Sequence, residues 1–166
     1  MQPLPYTRSC FVCGESNPIG LQLKFETDGR IIRTRFVPKP EHVSFKQTIH
    51  GGLLATLLDE IMAWACIAQT KRFGYCAELN VRFVQTARPG EEITATGELV
   101  NNLRNKLFEA RAELRNSQGV VLATATGKYL AIKTQTVTDM MTDLIGNVEA
   151  IAGPAETSAG ATPKGN

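Results

Sequence analysis

The sequence predicts an α+β domain in which a curved antiparallel sheet of about six strands wraps one long helix, and three observations carry that reading. Residues 49–70 (IHGGLLATLLDEIMAWACIAQT) are apolar, free of Gly and Pro after Gly52, and rich in Leu, Ala and Met, which favour helix. Segments on both sides of this stretch alternate apolar and polar residues with the period of two that marks half-buried strands. Two such segments precede the helix and four follow it, an order that suits a sheet with a single helix against one face.

The first strand sets Leu21, Leu23 and Phe25 against Gln22, Lys24 and Glu26. Asp28-Gly29 is a two-residue hairpin signal, and 31–37 (IIRTRFV) returns as the partner. Pro38 and Pro40 stop that strand, and 38–49 is a loop leading to the helix. Beyond the helix, 71–74 is a polar turn, and 75–86 makes a third strand alternating over Leu79, Val81 and Phe83. Arg88-Pro89-Gly90 turns into a fourth strand over 92–103, with a bend near Asn101-Asn102. Residues 106–115 (KLFEARAELR) suit a helix by composition but read as a strand beside strand neighbours. Ser117-Gln118-Gly119 then opens the sixth strand, 120–132, in which Gly127 marks a bulge.

The domain proper spans 21–133. Residues 1–20 are an irregular lead-in punctuated by Pro3, Pro5, Gly14, Pro18 and Gly20. Residues 134–166 form a tail: a short helix capped by Thr136 or Thr138 and bearing Met140, Met141, Leu144, Ile145 and Val148, then an end from Gly153 whose Ala, Gly, Pro, Thr and Ser predict disorder.

At 166 residues, with 43% hydrophobic and 20% charged content, this is one ordinary globular domain with a core of useful size. A net charge of +2 and the lack of any Lys/Arg run argue against a nucleic-acid partner. The first ten residues carry no signal-peptide pattern, the uncharged apolar run 61–68 is too short to cross a bilayer, and the expected compartment is the cytoplasm. Cys66 and Cys76 read as small buried hydrophobes. Cys10 and Cys13 have the spacing of half a zinc site or a redox pair. No further ligands follow at close spacing, and the only histidines are His42, read as an exposed loop residue, and His50. The pair is therefore read as reduced thiols or local packing, with no metal and no cofactor.

The helix carries the chemistry. At about 100° per residue, Leu53, Leu54, Leu57, Leu58, Ile61, Trp64, Ala65 and Ala68 cover one broad side, with Glu60 near its edge. Ala55, Thr56, Asp59, Ala63 and Cys66 cover the other, a narrow face of small side chains around one charge that another backbone could approach closely. A carboxylate on a buried helix needs a partner, so Asp59 is either a structural residue bonded to Thr56 one turn back or a functional one. The helix opens with His50-Gly51-Gly52, whose free N–H groups and missing Cβ atoms suit an anion or a polarised carbonyl. His50 and Asp59 stand nine residues apart, about 13 Å along the axis and roughly opposite around it. One helix cannot bring these two features together, whereas two copies packed antiparallel can, each lending its carboxylate to the other's amide-lined end.

Five features in order and spacing resemble the hotdog-fold acyl-CoA thioesterases: 13–25 (CGESNPIGLQLKF), His50-Gly51-Gly52, Asp59-Glu60, 77–83 (AELNVRF) and Arg88-Pro89-Gly90. Among these the chain is most similar to the PaaI-like branch, over about residues 10–132. The resemblance implies a homo-oligomer, a dimer at least, that hydrolyses a small or medium acyl-CoA, aromatic groups included, without cofactor, metal or membrane. It implies that the Gly51 amide, with that of Gly52, polarises the thioester carbonyl, and that His50 positions the thioester. Asp59 of the neighbouring subunit then acts as general base or nucleophile. One amide donor aimed at the developing oxyanion is worth roughly 3–4 kcal/mol. Glu60 is the competing acid, which the nine-residue spacing disfavours. Ser44 and Gln47 stand where relatives often have Asn or Gly, in a loop that shapes the pocket mouth. Cys76 replaces a Thr or Ser that helps hold the carboxylate or water. The alternatives are a hotdog hydratase or dehydratase, with His50 as its base, and a non-catalytic acyl-thioester-binding dimer.

Overall fold

A computed structural model of the chain describes residues 1–132 and 139–152. In chain order these form β1 (Gln2–Pro3), β2 (Tyr6–Thr7), β3 (Glu26–Thr27), β4 (Ile32–Phe36), α1 (Gly51–Thr70), β5 (Gly74–Phe83), β6 (Ile93–Leu103), β7 (Leu107–Asn116), β8 (Val121–Ala131) and β9 (Leu144–Ile145). Seven strands make one antiparallel sheet in the order β1-β3-β4-β6-β7-β8-β5, and β2 pairs with β9 apart from it. α1 packs against β4, β5, β6, β7 and β8, so the sheet curves around the helix as expected.

The helix begins where His50 caps it, its Nδ1 accepting the Gly52 N–H at 2.9 Å. It ends at Lys71, which adopts a left-handed conformation (φ 58°) and donates its N–H to Ile67 O. The Lys71 ammonium donates to Ala68 O at 2.7 Å and Ala150 O at 2.6 Å, tying the last turn of the helix to the 3-10 turn at Val148–Ala150. By length and composition α1 could cross a bilayer, but here it is the core: Leu57, Leu58, Ile61 and Met62 are wholly buried with Ile32, Ile93, Phe108, Leu114 and Leu122. Each such side chain contributes about 1.5–3 kcal/mol. The other helix face, Ala55, Thr56, Asp59 and Ala63, is only half-buried.

Several local expectations are corrected. Leu23 and Phe25 are buried and Gln22 and Lys24 exposed, but 21–25 is not in the sheet ladder. Gln22 is left-handed (φ 55°), and the Leu21 and Leu23 N–H groups donate instead to Phe11 O and Val12 O, both at 2.9 Å. The hairpin turns on Gly29 and Arg30, one residue later than Asp28-Gly29, because the Asp28 carboxylate accepts the Arg30 and Ile31 N–H groups. The 1–20 segment supplies strands β1 and β2. Among the described residues of the tail, 139–142 are helical, and the expected helix does not continue through Leu144 and Ile145, since Gly146 (φ 92°) turns the chain and Leu144–Ile145 pair with β2. Thr136, Thr138 and the end from Gly153 lie outside the described residues.

Gly127 is not a bulge. It pairs in register with both Leu79 and Ala110, and the register shifts fall elsewhere, at Cys76/Glu78, Leu99/Asn101 and Leu114/Arg115. A Cβ at Gly127 would lie 2.8 Å from Tyr129 Cε2 and 3.2 Å from Met62 Cε, so this glycine makes room for the Tyr129 ring under the helix. Gly127→Ala should therefore lower stability by about 1–3 kcal/mol through overpacking, read as a lower urea midpoint with an unchanged m-value.

Candidate functional site

At the start of α1, the Gly52 N–H is spent on its own His50, while the Gly51 N–H has no acceptor among the described residues. Gly51 lines a concavity of about 240 Å³ with Ile49, Leu54, Phe83, Val84 and Thr86. Phe83 comes within 3.4 Å of where a Gly51 Cβ would stand. The preceding loop is closed by a Val43–Ile49 bridge and by Ser44 N–H donating to Thr48 O at 2.7 Å. Ser44 and Gln47 are exposed on its tip, and the concavity is walled by Thr48 and Ile49 rather than by either of them. Lys46 and Gln47 are both left-handed (φ 52° and 61°), a conformation that favours glycine. His42 is not a free loop residue: its Nδ1 accepts the Lys39 N–H, its carbonyl accepts the His50 N–H, and its ring lies 5.5 Å from that of Phe36.

Asp59 projects from the middle of α1 towards β8 and the edge strand β5. The Tyr129 hydroxyl lies 2.9 Å from Asp59 Oδ1 and 3.0 Å from Asp59 O. Thr56 is not its partner, because the Thr56 hydroxyl donates to Gly52 O at 2.9 Å. Burial, then the facing Asp59, pushes the Tyr129 hydroxyl far above the usual phenol range, so it is a standing donor to that carboxylate. Burial and the same carboxylate push the Cys76 thiol up to about 11, which keeps it a neutral S–H beside Asp59. The Cys76 sulfur also lies 3.5 Å from Glu78 O.

Glu60, one residue on, faces the opposite way. Its Oε1 accepts the Trp64 indole N–H at 3.0 Å, one helical turn along, and lies 3.8 Å from Cys10 Sγ. Burial, with the Cys10 sulfur next, raises the Glu60 carboxyl to about 7. Cys10 and Cys13 sit over it in the tight turn 10–14. Hydrogen bonds from Cys13 and its backbone bring the Cys10 thiol down to about 5, while the same bond raises Cys13. The two acids therefore stand in separate surroundings, Asp59 on the small-residue face and Glu60 under the N-terminal segment.

Tyr129 is the site residue that sequence reasoning passed over. Its signal was the glycine two positions earlier on the same face of a strand, read as a bulge when it is a vacancy for the ring. Trp64 was placed correctly on the buried face, but its i,i+4 spacing from Glu60 also announced a donor.

Residues 46–123 match the Thioesterase superfamily family. Among curated proteins, the chain is 30% identical over 92 residues to acyl-coenzyme A thioesterase 13 of Homo sapiens, covering 55% of this chain and 60% of that protein. It is 31% identical over 97 residues to the medium/long-chain acyl-CoA thioesterase YigI of Escherichia coli K12, covering 49% and 61%. The match thus spans about three fifths of the length of these relatives. The fold matches that of the E. coli PaaI protein with a TM-score of 0.63 at 22% identity, covering 68% of this chain and 81% of that one. It also matches a hypothetical thioesterase from Streptococcus pneumoniae TIGR4 solved with coenzyme A, with a TM-score of 0.60 at 18% identity over 66% and 87% of the two chains.

Removing the Tyr129 hydroxyl in Tyr129→Phe leaves the half-buried Asp59 carboxylate without its O–H donor. The expected loss is about 1–2 kcal/mol, measured by urea denaturation, with the far-ultraviolet spectrum unchanged.

Proposed function

We propose that this chain is a hotdog-fold thioesterase, a reading that the match of residues 46–123 to the Thioesterase superfamily supports, and that it hydrolyses acyl-CoA thioesters to free acid and coenzyme A. The observation that carries this reading is the pairing of an uncommitted Gly51 amide at an apolar concavity with an Asp59 carboxylate held by Tyr129. The thioester oxygen accepts the Gly51 N–H, reinforced by the positive end of the helix dipole. Gly52 contributes differently: its amide orients His50, and a Cβ there would come within 2.9 Å of His50 Nδ1. With Nδ1 accepting, the proton of neutral His50 sits on Nε2, which makes the ring a donor towards the thioester rather than a base. That disfavours a hydratase or dehydratase built on a histidine base. Asp59 takes a proton from water as the water attacks, the C–S bond breaks, and that proton passes to the coenzyme A thiolate. If Asp59 attacks directly instead, a mixed anhydride forms as the thiolate leaves, and a water then cleaves it to free acid, restoring the carboxylate and giving the thiolate its proton.

Gly51 and Asp59 of one chain are about 12 Å apart along the helix, so the reaction needs a second copy. Among the described residues β5 is the long edge strand of the sheet, ten residues, with Tyr75 and Phe83 exposed along it and Val84 just beyond. Such an edge calls for a partner. Two β5 strands paired antiparallel about Asn80, with Ala77 the extra residue of the bulge, set Phe83 of one, beside Gly51, opposite Cys76 of the other, beside Asp59. The apolar lining of Ile49, Leu54, Phe83 and Val84 suits a small or medium acyl group, aromatic ones included.

Thiol release from a panel of acyl-CoAs tests the activity. Asp59→Asn should lower turnover by about tenfold or more with the fold intact, and Glu60→Gln should leave most of it. Turnover lost only in Glu60→Gln would reassign the acid, and no release from any substrate would leave a binding protein. Shared sites are tested by mixing: subunits of Asp59→Asn and Gly51→Pro, each inactive alone, should recover about a quarter of parental activity once exchanged. No recovery despite verified exchange would place the whole site in one chain.

A further inference from the structure

We propose that Cys10, Cys13 and Glu60 form a binding site for a thiophilic divalent cation, zinc foremost, with a fourth position open to solvent. The two sulfurs and a Glu60 carboxylate oxygen lie within 4.8 Å of one another, and the separation of Cys10 Sγ from Glu60 Oε1 is 3.8 Å. In a tetrahedral zinc site with sulfur at about 2.3 Å and carboxylate oxygen at about 2.0–2.2 Å, neighbouring ligand atoms stand about 3.4–3.8 Å apart. The three donors therefore need only small adjustments to share one ion.

The cluster is built in advance. The Val12 N–H points at Cys10 Sγ at 3.2 Å, the arrangement that stabilises a thiolate, and the Gly14 N–H closes the turn on Cys10 O at 2.9 Å. A Cβ on Gly14 would fall 2.3 Å from Cys10 O, so the turn closes this tightly only with glycine there. Thr7 braces it from the other side, accepting the Cys10 N–H at 3.1 Å and lying 3.4 Å from Cys13 Sγ. Two bonds from the next segment, Leu21 N–H to Phe11 O and Leu23 N–H to Val12 O, pin the turn to the body of the domain. Glu60 is aimed by the Trp64 indole, the kind of outer hydrogen bond that orients a metal-binding carboxylate.

Charge and softness choose the ion. Two thiolates and a carboxylate at one part-buried point would repel one another, so the three donors are fully charged together only around a cation, which displaces their protons as it binds. Thiolate ligands favour zinc over magnesium or calcium, which take oxygen. Cys13 is buried and Cys10 half-exposed, so solvent reaches the cluster on the Cys10 side and can supply the fourth ligand. The ion would fasten the N-terminal segment to the middle of α1 on the side away from Asp59. This inference stands apart from the thioesterase reading, since none of its donors takes part in the proposed reaction.

The test is cobalt(II) added to the reduced full chain. One equivalent should produce a sulfur-to-metal charge-transfer band and the visible bands of a tetrahedral site, and zinc should abolish both. Cys10→Ser with Cys13→Ser should lose the charge-transfer band, and Glu60→Gln should keep it while weakening the metal by about tenfold or more. A readout on the unaltered protein avoids any folding failure: one equivalent of zinc should slow reaction of Cys10 with a thiol-specific disulfide reagent, and chelation should restore the rate. The proposal falls if the parent binds cobalt no better than the double variant, or if zinc leaves the thiol reaction rate unchanged. An oxidised Cys10–Cys13 disulfide as the only stable state under thiol buffer would overturn it as well.

Discussion

A helix enclosed by a sheet must find a partner for every charge it carries, and the organisation of this domain follows from two adjacent carboxylates on such a helix. An unpaired buried carboxylate costs several kcal/mol. Because successive residues point about 100° apart, Asp59 and Glu60 cannot share one neighbour. Asp59 meets Tyr129 from β8 on one side, and Glu60 meets Trp64 and the Cys10 turn on the other. Each solution imposes a demand on the chain around it. Tyr129 requires the missing Cβ of Gly127, and the Cys10 turn requires Gly14.

The same helix separates its amide-rich start from its acid by more than two turns. Its start lies beside Phe83 at one end of β5, and Asp59 lies beside Cys76 near the other. Among the described residues the sheet ends at β5, and the half-buried helix face that carries Asp59 is otherwise made of small side chains, Ala55, Thr56 and Ala63. In the proposed dimer, a two-fold axis through the middle of β5 unites amide and carboxylate while pairing that edge. The proposed chemistry and the proposed assembly rest on one geometric fact rather than on two independent assumptions.

The long elements were legible because their signals are local. An uninterrupted apolar stretch opened by His50-Gly51-Gly52 marked α1, and alternation placed β6 to β8 within a residue and β5 within three at its end, even for 106–115, where composition suited helix equally. What escaped were contacts between residues far apart in the chain. Glu60 is 50 positions from Cys10, so the third donor of that cluster is invisible to any search of neighbouring spacing. Tyr129 is 70 positions from Asp59. The first 20 residues read as irregular because their backbone pairings are too short for a periodic pattern. In the tail, Leu144 and Ile145 have helical spacing with Met140 and Met141, yet the unpaired edge of β2 and the turn at Gly146 draw them into a strand.

The division of labour between the two acids also bears on how the departures at Gln47 and Cys76 should be understood. Gln47 occupies a left-handed position at an exposed loop tip, where a side chain costs on the order of 1–2 kcal/mol of local strain and glycine costs little. That strain is confined to a loop whose base is held by the His42, Val43 and Ile49 contacts, so it does not reach Gly51. Cys76 is different, because it touches the acid itself. A hydroxyl there would offer Asp59 a second strong donor; a neutral thiol is a weak one, which leaves Tyr129 as the principal group holding the carboxylate. A carboxylate with one firm donor keeps more of its lone pairs free for water than one with two. In the proposed reaction, a thiol at Cys76 therefore leaves more of the Asp59 carboxylate open to water than a hydroxyl would.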